Sequence, residues 1–392
     1  MLNYPENVIK IAKIMQKYGY RAYTVGGCVR DSIMGRAPSD WDMTTDASPE
    51  KTIEIFEKEN IRTIPTGLKH GTVTVLLGGE TYELTTFRID GNYTDLRHPD
   101  AVTFTLNLSD DLCRRDFTVN AMAADPLANG EKNEITDLFG GCEDIKNKII
   151  RAVGDPQKRF TEDALRILRA VRFAATLGFK IDENMKKAAR ECREGLAHVA
   201  IERKKVELEK MLVSSGADIG IELFFELGLE KFIHSDISRP QMPLSSLPAH
   251  FEVRMAALFG NIEHPDLSSL KLSRAESMGI KMLCDKSRFC AEISEKNARR
   301  LLASYGDLCE DAVALHGTCE LLDVVKHERK KNPVLSIDRL AVSGGEILSH
   351  GIEPRKIGRI MEKLLSLVID TPELNEKSKL LSLAKELSCE VS

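Results

Sequence analysis

Asp40 and Asp42 flank Trp41 in GGCVRDSIMGRAPSDWDMTT, residues 26–45. On an extended segment residues two apart face the same side, so the two carboxylates stand together, and their repulsion calls for a cation. Magnesium suits such a pair, because it takes carboxylate oxygens and substrate phosphates and keeps several waters. Capping and loop solvation account for many isolated D-x-D pairs, so the neighbours matter. Gly26 and Gly27 end the strand-like YTVGG and open the helical CVRDSIMG, where backbone N–H groups suit phosphate; a tight turn without a ligand would use the same pair. Downstream, HGTVTVLLGGETYELTTF reads as a hairpin turning at Gly78-Gly79, with Glu83 in its second strand. Glu83 is either the third acid of a two-metal site or an exposed acid on the polar face of that strand.

DLCRRDFTVNAMA gathers Arg114, Arg115, Asp116 and Asn120. Guanidinium forks suit triphosphate oxygens, and Asp and Asn suit ribose hydroxyls; a capped helix start would look similar. In RFTEDALRILRAVRFAA, Asp163 and Arg166 lie three apart on an expected helix, hence on one face. An ordinary surface ion pair has that spacing too. Its chemistry is more selective than that, because cytosine and adenine both present an amino donor beside a ring-nitrogen acceptor. A carboxylate next to a guanidinium complements that edge, whereas uracil and guanine meet it acceptor to acceptor and donor to donor. Arg169 and Arg172 continue at three-residue steps, placed to reach phosphate or to anchor the helix through other acids.

The elements that must position these residues fall into two regimes. The first 145 or so residues mix strand-like runs (RAYTV, HGTVTVLL, TYELTTF, AVTFTL) with helices, whereas from about 146 the apolar period is helical almost throughout. The fold class is therefore multidomain α+β, a mixed-sheet domain followed by all-α segments, and 392 residues accommodate two to four domains. SDISRPQMPLSSLP (235–248) and KKNPVLS (330–336) are the loop-like breaks. No apolar run approaches the roughly 18 to 20 residues of a membrane span, and the N-terminus lacks a signal-peptide pattern, so a cytoplasmic protein is expected. The nine cysteines form no C-x-x-C pair, which argues against a zinc site or disulfide framework. A net charge of −5 leaves room only for local basic patches.

Taken together, GGCVRDSIMGRAPSDWD, GLKHGTVTV, YELTTFR, RRDFTVNAMA, GDPQKRFTEDALRILRAVRFAA and ELNEKSKLL, in that order along nearly the whole chain, resemble the class II, bacterial-type CCA-adding tRNA nucleotidyltransferases of the polymerase β-like superfamily. The resemblance implies a catalytic head (1–145), a helical neck that reads the base (146–235), a helical body (236–335) and a tRNA-binding tail (336–392). It implies that Asp40 and Asp42 bind magnesium, with Glu83 as an accompanying catalytic acid, and that Gly26, Gly27, Arg30, Arg115, Asp116 and Asn120 hold the nucleotide. Asp163 and Arg166 match the protein template for the base, with Arg169 and Arg172 beside it. Asp95 and Arg97, in FRIDGNYTDLRHPDAVTF, match the loop linked to the switch from C to A. The expected partners are CTP, ATP and the 3′ end and elbow of tRNA, with neither a membrane nor an obligate protein partner. Since one such enzyme serves every tRNA, the grip must rely on shape and backbone. Arg203, Lys204 and Lys205, and Arg355, Lys356 and Arg359, are the basic groups placed for it, although each cluster also reads as a solvated helix face. Poly(A) polymerases and enzymes adding only C or only A share this head, and a catalytically dead RNA-binding protein is a further alternative; intact Asp40 and Asp42 argue against the last.

Overall fold

The computed structural model describes residues 2–91, 102–128 and 135–390. Asp95 and Arg97 lie outside the described residues. The chain forms two compact units, Met1–Ser235 and Asp236–Ser392.

In the first unit the chain runs through α1 (Glu6–Lys17), β1 (Ala22–Val25), α2 (Gly27–Ile33), β2 (Met43–Thr45), α3 (Pro49–Lys58), β3 (Thr63–Gly67), β4 (Thr72–Leu77) and β5 (Glu80–Thr86). A short antiparallel pair, β6 (Arg88–Asp90) and β7 (Val102–Phe104), precedes α4 (Leu108–Cys113), β8 (Met122–Ala124), β9 (Ile135–Asp137) and α5 (Gly141–Asn147). Seven strands form one mixed sheet in the order β3-β4-β5-β2-β1-β8-β9, with β2 and β5 parallel and the other neighbours antiparallel. One sheet face carries the core. Val8, Ile11, Ala12 and Met15 recur at helical spacing on α1 and bury against Met43, Val75, Tyr82 and Leu84 of the sheet and Ile55 and Phe56 of α3. On β5 burial alternates, with Tyr82, Leu84 and Thr86 buried and Thr81 and Glu83 exposed, so the strand period turns Glu83 away from the helices.

The helical remainder of this unit comprises α6 (Pro156–Glu162), α7 (Leu165–Leu177), α8 (Glu183–Cys192), α9 (Ile201–Leu212) and α10 (Ala217–Glu226), with a two-residue parallel pair, β10 (Ile149–Ile150) and β11 (Lys180–Ile181). Here the structure corrects the expected single helix through TEDALRILRAVRF. Asp163 has φ −145° and ψ 102° and ends α6 instead of sitting within a helix. Its Oδ1 accepts the Leu165 N–H at 3.0 Å, the local side-chain bond by which Asp competes with helical backbone and starts a new helix. Gly178 at φ 71° closes α7 in the left-handed conformation that glycine adopts freely. α7 is buried almost all round, and a Cβ on Gly220 of α10 would lie 2.5 Å from Met211 Cγ of α9, so these helices pack too closely for a larger residue there.

The second unit is helical, and its closing helices Gly344–Ser349, Pro354–Asp370 and Lys377–Glu390 share a core that includes Ile347, Ile360, Leu364, Val368 and Leu380. Buried Arg299 stitches it internally, donating Nε to the Ile369 carbonyl at 2.6 Å and Nη1 to Glu328 at 2.9 Å. Among the described residues no helix is long and apolar enough to cross a membrane.

Candidate active site

The parallel register sets Met43 beside Leu84 and Thr44 beside Thr85. One step back along both strands, Asp42 is the neighbour of Glu83, on the sheet face opposite the helical core. Trp41 turns the other way, joining the core with its ring centroid 5.6 Å from that of Tyr4. Asp40 and Asp42 therefore share the open side. Asp42 keeps access to solvent, yet the protein behind it removes enough water that burial, followed by repulsion from Asp40 and Glu83, pushes its carboxyl up to about 6 against the pull of Arg115. An all-oxygen donor set whose charges repel until a cation arrives fits a hard divalent metal.

Another cluster, Glu295, His327 and Glu328, brings its ligating atoms within 4.8 Å of one another. Glu328 there is neutralised by Arg299 at 2.9 Å and Lys331 at 2.5 Å, which makes that cluster an ion-pair node of the second unit.

Gly26 precedes α2 at φ 82° and ψ −126°, a conformation L residues avoid, and a Cβ there would come 3.2 Å from Arg115 Nη1. Gly27 is the first residue of α2. Arg115 and Arg114 are both held by Asp111, at 3.1 and 2.7 Å, and Asp111 also accepts the Thr44 hydroxyl at 3.4 Å. Burial opposes the charge on Asp111, but the two guanidiniums overcome it and leave its pKa lowered. Arg115 Nε is buried and has no partner among the described residues, an unmet donor beside Gly26 that fits an anionic ligand.

A chain of polar contacts continues from Arg30. Its Nη1 donates to Asn120 Oδ1 at 2.6 Å, Asn120 Nδ2 donates to Asp116 Oδ1 at 3.3 Å, and Asp116 Oδ2 accepts both Nε and Nη2 of Arg169 at 2.9 and 2.6 Å. Arg172 donates to Glu207 at 2.5 Å. Phe173 sits among these cations, its ring centroid 5.3 Å from the Arg30 guanidinium, 5.7 Å from that of Arg169 and 3.7 Å from that of Arg172. Arg30, Asn120, Asp116 and Arg169, expected from the sequence to bind nucleotide, are thus linked in one chain, in which Asp116 and Asn120 spend much of their bonding on Arg169 and Arg30. Asp111, Phe173 and Glu207 are the supports that sequence reasoning missed.

Asp163 and Arg166 are both buried, and each is held by a different partner. Arg166 Nη1 donates to Glu162 at 2.7 Å and to the Arg159 carbonyl at 3.2 Å. Asp163 Oδ2 accepts Arg203 Nη2 at 2.8 Å. Two of the residues expected to grip tRNA make internal contacts. Arg203 is engaged with Asp163, and Lys204 is 6% exposed, donating Nζ to the carbonyls of Phe232 at 2.5 Å and Leu196 at 3.3 Å. Lys205 is half-buried. Arg355 is exposed beside Glu353, Lys356 reaches the Ser388 carbonyl at 3.1 Å, and Arg359 is exposed.

A mixed sheet carrying paired acids on its open face, a glycine turn at a helix start and a wall of arginines define a polymerase β-like nucleotidyltransferase. The comparisons agree. Residues 22–151 match the family model described as the poly A polymerase head domain, and 178–239 match the one described as a probable RNA and SrmB-binding site of polymerase A. A CCA-adding enzyme from Leuconostoc mesenteroides is 34% identical and covers 97% of each chain. One from Bacillus licheniformis is 47% identical over 57% of this chain and 54% of its own. The crystal structure of the Bacillus stearothermophilus CCA-adding enzyme in complex with CTP superposes with a TM-score of 0.81 at 30% identity, over 97% of both chains. The chain belongs to the CCA-adding enzyme family of nucleotidyltransferases, a class that needs a divalent metal.

Proposed function

We propose that this protein adds CMP, CMP and AMP from CTP and ATP to the 3′ end of tRNA in the cytoplasm, with magnesium as the metal and release of pyrophosphate. The observation that carries the reading is the pairing of Asp42 with Glu83 across β2 and β5, with Asp40 on the same side. Asp40 and Asp42 would hold magnesium, which when bound polarises the phosphate and activates the attacking 3′-hydroxyl. The chain's own residues bind and orient. Arg115 and the Gly26 turn receive the triphosphate, Arg30, Arg169 and Arg172 supply the cationic wall around Phe173, and Asp163 with Arg166 reads the amino edge of cytosine or adenine. Burial of Asp163 and Arg166 strengthens that reading, since a buried polar group rejects a base that leaves it unpaired. Residues 1–145, 146–235, 236–335 and 336–392 would serve as head, neck, body and tail, with Arg355 and Arg359 gripping the tRNA backbone and Asp95 and Arg97 serving the change from C to A.

Single-nucleotide extension of tRNA lacking its last three residues tests this reading. Two additions with CTP and a third only when ATP is present support it; a long adenosine ladder on any RNA would instead make this a poly(A) polymerase.

A further inference from the structure

α9 presents two groups one turn apart toward α7 and the break before it. Glu207 takes Arg172, and Arg203 takes Asp163. The helix is locked in register by Lys204, whose buried Nζ donates to the Phe232 and Leu196 carbonyls. Asp163 itself lies in the extended residue between α6 and α7, so helical backbone does not fix its side chain. Two donors do: the Leu165 N–H on Oδ1 and the Arg203 guanidinium on Oδ2. A carboxylate carries about four lone-pair sites, so one remains on each oxygen to accept from an incoming base. Arg166, by contrast, is held from its own side by Glu162 and the Arg159 carbonyl.

We infer that Arg203 is a positioning residue for nucleotide selection, which holds the Asp163 carboxylate in place as an acceptor, so that it takes the amino group of CTP or ATP and offers nothing to the carbonyl of UTP or GTP. The inference rests on the reading of Asp163 and Arg166 as the base template and deepens it. Held this way, the carboxylate presents its remaining lone pairs, which accept from an amino group and meet uracil O4 or guanine O6 acceptor to acceptor. Without Arg203 only the Leu165 N–H holds the carboxylate, so it turns more easily, and the acceptor-to-acceptor clash that rejects the wrong bases weakens.

The test is steady-state extension of truncated tRNA with each of the four nucleoside triphosphates, using the full chain, Arg203→Met, Arg203→Lys and Asp163→Asn. Arg203→Met is expected to raise KM for CTP and ATP about tenfold with a smaller change in kcat, and to narrow the CTP-over-UTP preference by about tenfold. Arg203→Lys, which keeps one donor, should recover most of that preference. An equal fall in kcat for all four nucleotides with the preference intact overturns the inference, as does weakened tRNA binding with a shallower salt dependence, which would make Arg203 a phosphate ligand. If Arg203→Met does not fold, the preference measured with Arg203→Lys decides: an unchanged KM and preference overturns the inference, and a partial loss of both supports it. Asp163→Asn separates the two levels. If it leaves selection among the four nucleotides untouched, the template reading fails and the inference with it; if it alters selection while Arg203→Met does not, only the inference fails.

Discussion

Arg169 closes on Asp116 with Nε and Nη2 2.9 and 2.6 Å from the single oxygen Oδ2, tying α7 to the turn after α4. The same guanidinium lies 3.5 Å from Glu207 and beside the Phe173 ring, so one side chain joins the segment between α4 and β8 to the helical layer.

That linkage has a measurable cost of removal. Burial opposes the charge on Asp116, and Arg169 outweighs it, leaving the pKa lowered. Arg169→Met takes both donors from Oδ2 of a largely enclosed carboxylate and should lower stability by about 2 kcal/mol in urea unfolding. Adding Asp116→Asn should recover part of the loss, because the stranded charge is gone. Because the folded-state pKa lies below the ordinary value, the pair's contribution is present above about pH 4 and is lost as pH falls through the folded-state value. The wild-type advantage over Arg169→Met should therefore shrink toward acid. An advantage that stays constant down to about pH 2 would sink this account.

For Asp42 the sign is opposite. Its carboxyl rises from the ordinary aspartate value of 3.8 to about 6, so the fold favours the protonated form, and stability contributed at acid pH is lost as pH climbs through that window. Without metal, Asp42→Asn should melt higher than wild type at about pH 7.5 and match it near pH 4, while abolishing nucleotide addition. Divalent metal competes with that proton, so the rise in Tm on adding magnesium should be large at about pH 7.5 and small at about pH 5. Equal rises at both would count against Asp42 as a ligand.

The two glycines before α2 should separate cleanly. Gly26 needs its positive φ and crowds Arg115, whereas a Cβ on helical Gly27 would lie 3.6 Å from Arg30 Nη2, an ordinary approach. Gly26→Ala is expected to cost about 1–3 kcal/mol and to raise KM for CTP by displacing Arg115. Gly27→Ala should change thermal stability little. Equal effects of the two on KM and Tm would show that the turn conformation is not what matters.

What was legible in the sequence follows from distance along the chain. Asp40 and Asp42 lie two apart on an extended segment, a spacing that states a shared side directly, and Arg115 with Asp116 and Asp163 with Arg166 are likewise close along the chain. Asp111 was within reach of the same logic, lying three and four residues before Arg114 and Arg115. Arg203 meets Asp163 across 40 residues and Glu207 meets Arg172 across 35, separations over which no periodicity carries information. The break at Asp163 was hidden for another reason. Apolar residues keep helical spacing from Phe160 through Leu177, and the signal against continuity is one Asx bond to Leu165. Lys204 shows the limit of charge runs, because RKK reads as a basic patch until α9 packs and turns the middle lysine inward.

That turn sets the last prediction. Arg355 has a side chain 81% exposed at the start of the helix Pro354–Asp370, and Arg359 is exposed one turn on. Removing one cation that neutralises a phosphate reduces the slope of log affinity against log salt by about 0.7 to 0.9. Arg355→Glu with Arg359→Glu should therefore weaken tRNA binding and flatten that slope by roughly two such steps, with thermal stability nearly unchanged because neither side chain is buried. Lys204→Met should do the reverse. It leaves the Phe232 and Leu196 carbonyls without their shared donor, which costs stability of about 1–3 kcal/mol for each unmet group, while the salt slope of tRNA binding stays at the wild-type value. If the Lys204 variant instead flattens the slope and the tail variant does not, the basic surface that meets tRNA lies on the α9 side and the assignment of the grip to the last helices is wrong.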